Sequence, residues 1–155
     1  DPDGNEITTG GWPFTGHTNT VTKITIDSND NVYSGSFDNT VRKIDPSGTE
    51  VWSFTGHSNI VLGIALDSND NVYSGSFDNT VRKIDPSGTE VWSFTGHTDN
   101  IYSVSVDSNN GYVYSGSFDN TVRKININDG TEVTTGGWPF TGHTDNVYFV
   151  AVNKG

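Results

Sequence analysis

The chain has 155 residues, of which 31% are hydrophobic and 17% charged, and its formal net charge at pH 7 is −11. We expect so acidic a chain to bind neither nucleic acid nor an anionic membrane surface, because both contacts depend on Lys and Arg side chains. It contains no Cys, which excludes disulfides and thiolate chemistry, and no apolar run approaches the roughly 18 residues that predict membrane insertion.

The dominant feature of the sequence is internal repetition. The tetrapeptide Phe-Thr-Gly-His occurs four times and ends at His17, His57, His97 and His143. The block from Asp27 to His57 recurs without change from Asp67 to His97. A period of about 40 residues is typical of repeat architectures in which each unit packs against its neighbours.

Each unit predicts four short strands in the same order. In the first unit, the apolar segment Val21 to Ile26 is followed by a polar turn, and Val32 to Phe37 alternates with the two-residue period of a strand. Thr40 to Ile44 and Glu50 to Phe54 follow as the third and fourth strands, separated by the turn sequence Asp45-Pro46-Ser47-Gly48. Four strands per unit of about 40 residues are typical of a β-propeller blade.

The predicted fold is therefore all-β, a β-propeller of four-stranded antiparallel blades, with about 3.5 blades in a single array over residues 1–155. The whole blades are predicted at residues 18–55, 58–95 and 98–141. A fourth strand at 6–14 and a first strand at 147–152 remain as orphans. Because these two strands are not neighbours in a blade, we expect the chain to be part of a larger ring or of a ring completed by oligomerisation.

Several positions of the unit resemble a WD40 repeat, namely Gly16-His17, Ser34-Gly35-Ser36, Asp38 and Thr40-Val41-Arg42. In that family a His, a Ser or Thr, an Asp and a Trp form a hydrogen-bonded group that stiffens each blade. The resemblance implies such structural groups at His17 with Ser34 or Ser36 and Asp38, at His57 with Ser74 or Ser76 and Asp78, at His97 with Ser115 or Ser117 and Asp119, and at His143. Ile stands in place of the family's Trp, at Ile44, Ile84 and Ile125.

The four Trp residues lie in the fourth strand of each unit, at Trp12, Trp52, Trp92 and Trp138. We expect them to pack between or along blades, and stacking on sugars is the alternative. The segment from Ile44 to Trp52 is similar to the tryptophan-docking motif of quinoprotein-type (PQQ-like) repeats. We nevertheless expect no cofactor, because nothing in the sequence supplies a distinct cofactor pocket.

The recurring His, Ser and Asp residues are not expected to form a metal site or an enzyme active site. Each His lies in a different blade, whereas zinc needs three or four clustered ligands. Nucleophilic catalysis needs one activated nucleophile beside one base, and here the same residues recur in every unit. The acidic turn from Asp27 to Asn31 has the alternating oxygens of a calcium loop without the Gly and Glu of an EF-hand. We interpret it as a plain turn and keep calcium as the alternative.

The segment after each Gly-His varies between units, whereas the remaining strands are nearly the same. In a propeller the first strand lines the central channel and its entry loop lies on one rim. Diversity there is explained equally well by a binding surface and by drift. The candidate partner-binding residues in this segment are Lys23, Asp99, Tyr102, Asp145 and Tyr148.

The predicted function is a non-enzymatic scaffold for protein binding or self-assembly, on an extracellular, virion or cell-surface structure. The alternative is a multivalent carbohydrate-binding propeller, and a quinoprotein-type enzyme comes third.

Overall fold

The computed structural model describes residues 4–6 and 8–152, and every regular element in them is a β-strand. The first sheet has four strands in sequential order, β1 (Val21–Ile26), β2 (Val32–Ser36), β3 (Val41–Ile44) and β4 (Glu50–Phe54). The second sheet has the same order, with β5 (Val61–Leu66), β6 (Val72–Ser76), β7 (Val81–Ile84) and β8 (Glu90–Phe94). The third sheet has three strands, β9 (Ile101–Asp107), β10 (Tyr112–Ser117) and β11 (Val122–Asn126).

All strand pairs are antiparallel, and the three sheets are the first, second and third blades of a partial β-propeller. The predicted fold class is thus confirmed, and the described residues do not close a ring. The strands arise where Val, Ile and Tyr alternate with small polar residues, a pattern that fits a pleated, half-buried surface. None of the described residues forms a helix long and apolar enough to span a membrane.

The hydrophobic core lies between blades rather than inside one blade. One cluster joins Tyr33, Val41 and Phe54 of the first blade to Val61 and Ile64 of the second. A second cluster joins the second and third blades in the same way, through Tyr73, Val81, Phe94, Ile101 and Val104. A blade therefore needs its neighbour to bury its apolar face.

A glycine in the second strand of each blade allows this close packing. A Cβ added at Gly35 would lie 2.9 Å from side-chain atoms of Val61 and Ile64, and a Cβ added at Gly75 would lie 2.7 Å from Ile101. Only a residue without a side chain lets the next first strand approach so closely.

The fourth strand of the third blade is reduced to two isolated bridges, Val122 with Phe140 and Ile125 with Glu132. The intervening residues Gly136 and Gly137 have φ angles of +66° and +87°. Positive φ takes the chain out of the extended conformation, which explains why this edge does not continue as a strand.

The orphan strands expected at 6–14 and 147–152 are not strands in the described residues, and residue 7 lies outside the description. Residues 8–14 contain a turn at Gly10, and the Gly11 amide donates to the Ser47 carbonyl at 2.7 Å. Residues 147–152 lie along the third blade, but two of their amides, Val150 and Val152, donate to serine hydroxyls. A ladder needs a neighbouring strand's carbonyls, and no such strand pairs with either segment in the described part of the chain.

Candidate functional site

A chain of hydrogen bonds runs through Ser, His, Asp and Thr in each blade. In the first blade the distance from His17 Nε2 to Ser34 Oγ is 2.7 Å, and that from His17 Nδ1 to Asp38 Oδ2 is 2.8 Å. The Thr40 hydroxyl donates to the other Asp38 oxygen at 2.6 Å. The same contacts, at 2.6–2.8 Å, recur in His57, Ser74, Asp78 and Thr80 and in His97, Ser115, Asp119 and Thr121.

Three elements meet in this group. The His comes from the loop before the first strand, the Ser from the second strand, and the Asp and Thr from the turn between the second and third strands. The turn is sharp because Asn39 has a φ of +70°, a left-handed conformation that Asn tolerates better than most residues. The hydrogen bonds therefore fasten two loops to the centre of the sheet.

The two serines of each second strand have different roles. The first one, Ser34, contacts the imidazole. The second, Ser36, accepts a hydrogen bond from the Asp38 amide at 3.0 Å and donates to the Asn19 carbonyl at 3.2 Å. Ser76 and Ser117 make the equivalent contacts in the other two blades. The sequence left this choice open, because both serines lie on the same side of the strand.

The group is electrostatically matched. Burial opposes ionisation of Asp38, but hydrogen bonds from the side chains of Thr40 and His17 and from backbone amides outweigh it and lower the pKa of that carboxyl. Burial lowers the pKa of His97 and keeps its ring neutral. Since the Asp119 carboxylate only accepts, the neutral His97 ring donates from Nδ1 and accepts the Ser115 hydroxyl at Nε2.

The order Ser–His–Asp is also the order of a hydrolytic triad. The hydroxyls of Ser34, Ser74 and Ser115 are buried, however, so that a substrate has no access to them. Across the described residues no buried side-chain polar atom lacks a hydrogen-bond partner. The geometry is therefore that of a closed structural network.

His143 does not join such a group. It is exposed, and its ring contacts the edge of the Phe140 ring with centroids 5.1 Å apart. The described residues after it, 144–152, contain no second strand that could supply the Ser and Asp. Within the described residues, these hydrogen-bonded groups occur in three copies of the unit, and His143 lies outside them.

The Trp side chains link neighbouring copies. The indole N–H groups of Trp12, Trp52 and Trp92 donate to the carbonyls of Pro46, Pro86 and Ile127, at 3.1–3.2 Å. The Trp52 ring lies against Gly88 of the next blade, where an added Cβ would be 2.8 Å from Trp52 Cγ. These N–H groups are bonded between copies, and the Trp92 ring is buried, whereas the rings of Trp12 and Trp52 are half-buried.

The acidic turns are held by their own hydrogen bonds. Asp27 Oδ1 accepts from the amides of Asn29 and Asn31, and Oδ2 accepts from the Asn31 side chain and the Tyr33 hydroxyl. The described residues contain no group of three or more His, Cys, Asp or Glu side chains arranged to hold a metal ion. The turn geometry is therefore complete with protein donors alone.

A β-bulge lies near the start of each first strand, at the rim of the sheet where the Gly-His loop enters. The unpaired residue is Thr22 in β1, Leu62 in β5 and Tyr102 in β9. This position differs between the three blades, and bulges commonly re-aim a side chain. The Thr22 hydroxyl donates to the carbonyls of Gly35 and Val61.

Four aromatic rings meet at this rim, and we call Phe77, Tyr102, Phe118 and Tyr148 the aromatic row. Tyr102 stacks on Phe118 with ring centroids 4.1 Å apart and contacts Phe77 at 5.0 Å. Tyr148 contacts Tyr102 at 5.4 Å and Phe118 at 5.2 Å. The structure thus brings together two of the candidate residues, Tyr102 and Tyr148.

The other three candidates, Asp99, Asp145 and Lys23, are exposed. Asp99 and Asp145 are exposed in equivalent loops, and each accepts a hydrogen bond from the next residue's amide at 2.7 Å. Lys23 is exposed on the concave face lined by β1, β5, β9 and residues 149–152, which Tyr102 also borders.

Sequence reasoning missed Phe77 and Phe118. Both stand at the end of a repeated strand and are the same in every copy, so they looked like ordinary strand residues. Phe77 contacts the bulge residue Tyr102 of the next unit, whereas Phe118 stacks on Tyr102 of its own unit and contacts Tyr148 of the next. The sequence carries no signal of these contacts.

Comparison with known proteins supports the repeat assignment. The family model described as WD domain, G-beta repeat matches residues 4–45, 48–85 and 88–126, which together are more than half of the chain. The search of curated proteins found no match to the chain. Repeats of this family generally mediate protein–protein interaction and scaffolding, typically without catalysis. The resemblance deduced from the sequence is confirmed, and the chain belongs to the WD domain, G-beta repeat family.

Proposed function

We propose that the chain is a non-enzymatic scaffold that binds a protein segment through the aromatic row. The observation that carries this proposal is the cluster of four contacting rings at one rim, ending in Tyr148, whose side chain is 60% exposed. The neighbouring Phe149 is 72% exposed. Large apolar side chains that remain together at a surface are typical of interaction sites, and Tyr is among the residues that contribute most to binding energy.

Two rings of the row, those of Phe77 and Phe118, have a rigid support. Phe77 and Phe118 directly follow second strands, and their amides donate to the carbonyls of Ile60 and Asn100 at 2.9 Å. The Ser–His–Asp–Thr groups fasten the same loops. A rigid surface loses little conformational entropy when it binds, which favours affinity.

The charge around the row indicates the chemistry of the partner. Asp99 and Asp145 are exposed in the loops that lead to Tyr102 and Tyr148, and the chain as a whole carries a net charge of −11. A cationic side chain would be attracted to these carboxylates and to the face of a Tyr ring. The proposed partner is therefore an extended segment with an apolar or aromatic anchor next to Lys or Arg.

The carbohydrate alternative has less support. It depended on the four Trp side chains, and those of Trp52 and Trp92 pack against the following copy with their N–H groups bonded. Within the row, one face of Tyr102 is already covered by Phe118.

Selection from a random peptide library tests the proposal. We expect the wild-type chain to enrich peptides that combine Phe, Trp or Leu with Lys or Arg. The double variant Tyr102→Ala, Tyr148→Ala should bind them at least about tenfold more weakly, since aromatic anchors dominate binding energy. Val91→Ala, which shortens an exposed apolar side chain of β8, is the matched control and should bind normally.

Circular dichroism and thermal unfolding of both variants establish that they are folded, and the single variant Tyr148→Ala, at an exposed position, serves if the double variant is not. Selected peptides that bind the Tyr variants as tightly as the wild type would refute the proposal. So would a glycan array with strong, Tyr148-dependent binding in place of any peptide.

A further inference from the structure

The first strand of the first blade exposes a face that is buried in the other blades. Val21, Ile24 and Ile26 are 46%, 57% and 56% exposed. The residues at the same positions of the second blade, Val61 and Ile64, are 0% and 4% exposed. The difference does not come from polarity, because all of these side chains are apolar.

The buried copies reveal which surface fits this face. Val61 and Ile64 pack on the second strand of the first blade, at Gly35, and Ile101 and Val104 pack on Gly75. The receiving strand has the sequence Val-Tyr-Ser-Gly-Ser in all three blades. The chain itself therefore contains the complementary surface, three times.

Two of these surfaces are covered by a complete first strand, and the third is covered by a segment that is not part of a sheet. Val147 and Val150 lie over Gly116, where an added Cβ would be 2.7 Å and 3.1 Å from their side chains. Their segment, 147–152, forms no strand in the structure. Three of its amides donate to the Ser117 carbonyl and to the hydroxyls of Ser103 and Ser105, at 3.0–3.2 Å.

We propose that two copies of the chain associate by exchange at this surface. β1 of one copy displaces residues 147–152 of the other and packs on its Gly116 strand. Val21 and Ile24 then take the places of Val147 and Val150, as Val61 and Ile64 do at Gly35. The incoming strand belongs to a four-stranded sheet, so the exchange replaces a short segment by a whole blade.

The contact is heterologous, because one copy offers its first strand and the other its second. Such contacts form a closed ring when the rotation between copies closes, and an open filament when it does not. Two copies supply six blades, which lies within the roughly four to eight blades of propellers. The association we infer is therefore a closed pair, and it does not depend on the proposed partner binding.

Sedimentation equilibrium of the full chain, from about 5 to about 500 µM, measures this association, since mass action raises the paired fraction with concentration. We expect the mass to rise from 16.8 kDa to twice that value. Ile24→Asp should weaken pairing at least about tenfold, because it would bury an unpaired carboxylate. Val51→Asp, at a 53% exposed apolar position of β4, is the matched control and should pair like the wild type.

A third variant, Val150→Asp, tests the displacement itself. It loosens the segment that covers Gly116 and should strengthen pairing in a chain whose own β1 is intact. The proposal is overturned by a monomer at every concentration in both the wild type and Val150→Asp, or by a pair that Ile24→Asp leaves as tight as before. Displacement of residues 147–152 moves Tyr148 with them, so pairing competes with binding by the aromatic row. Sedimentation of the chain without any peptide therefore measures pairing alone.

Discussion

Two stretches of the chain have the same 31 residues and different surroundings. The block from Asp27 to His57 lies mostly in the first blade, and its duplicate from Asp67 to His97 lies in the second. Their strands have equivalent bounds and their hydrogen bonds nearly equal lengths. Burial differs, however: Trp92 is 9% exposed and Trp52 more so, and Phe37 is 40% exposed whereas Phe77 is half-buried.

The comparison distinguishes features that depend on the sequence of one block from features that depend on the neighbouring blade. Turn residues, alternation and side-chain hydrogen bonds act within one block, so the duplicate reproduces them. Burial is set by the adjacent blade, because each hydrophobic cluster lies between two sheets. Stability in such an array is the sum of contributions from single units and from their interfaces.

The largest expected effect comes from breaking the hydrogen-bond group of the second blade. His57→Ala leaves the buried Ser74 hydroxyl and the Asp78 carboxylate without their partner, and we expect it to lower the free energy of unfolding by about 3 kcal/mol. His143→Ala removes an exposed ring outside any such group and should change it by less than about 0.5 kcal/mol. Urea unfolding of both variants measures the difference. Similar losses from the two substitutions would contradict the structural role of the group.

The second-largest effect on stability is expected at the glycines of the second strands. Gly75 is covered by strand β9, whereas Gly116 is covered by residues 147–152, which form no strand. Gly75→Ala forces a methyl group against Ile101 in a fixed interface and should cost about 2 kcal/mol. Gly116→Ala meets Val147 in a segment that can move away, so that its cost should stay below about 1 kcal/mol. Thermal unfolding of the matched pair gives the answer, and equal costs would mean that residues 147–152 are held as firmly as β9.

A smaller loss of stability is expected when Trp is replaced by Phe in either of the two identical blocks. Trp92→Phe loses a partly buried hydrogen bond to Ile127 and should cost about 1 kcal/mol. Trp52→Phe loses a more exposed bond to Pro86, and we expect about half that cost. Urea unfolding measures both. If Trp52→Phe were the less stable of the two variants, the more buried hydrogen bond would not be the one that contributes more to stability.

The pH dependence is expected to be the mildest effect near neutrality. Burial lowers the folded-state pKa of His97 below its ordinary value of 6.5, so the unfolded chain takes up a proton first as the pH falls. Stability is therefore complete above pH 6.5 and declines below it. Asp38, Asp78 and Asp119 also have lowered pKa values, so a second decline should begin below about pH 4.

Unfolding measured from pH 7 to pH 3 checks both declines, and His97→Gln should remove the first while keeping the second. A stability that rises as the pH falls from 7 to 5 would contradict the neutral imidazole inferred here.

The sequence predicts the strands of the blades well because alternation and turn residues within one unit determine them. Alternation and turn residues place β1 at Val21–Ile26 and β4 at Glu50–Phe54, with the same bounds that the structure has. The fourth strand of the third blade is not predictable in this way, because Gly136 and Gly137 turn the chain out of the sheet. Residues 147–152 look like a strand in sequence, and they lack a neighbouring strand to pair with in the described part of the chain.

The candidate site was predictable only in part. Tyr102 and Tyr148 stand out because they lie in the segment that varies between units. Phe77 and Phe118 do not vary, and their role depends on a bulge and on contact between blades. Neither the bulge nor that contact leaves a pattern in one unit of the sequence.

The most direct test of the account is fluorine NMR of the chain labelled with fluorotryptophan, in H2O and in D2O. Trp52 and Trp92 are assigned by the variants Trp52→Phe and Trp92→Phe. Since the two residues lie in identical blocks but face different neighbours, we predict separate resonances, with the smaller solvent isotope shift for Trp92. Coincident resonances with equal isotope shifts would contradict the claim that adjacent blades determine how deeply each copy is buried.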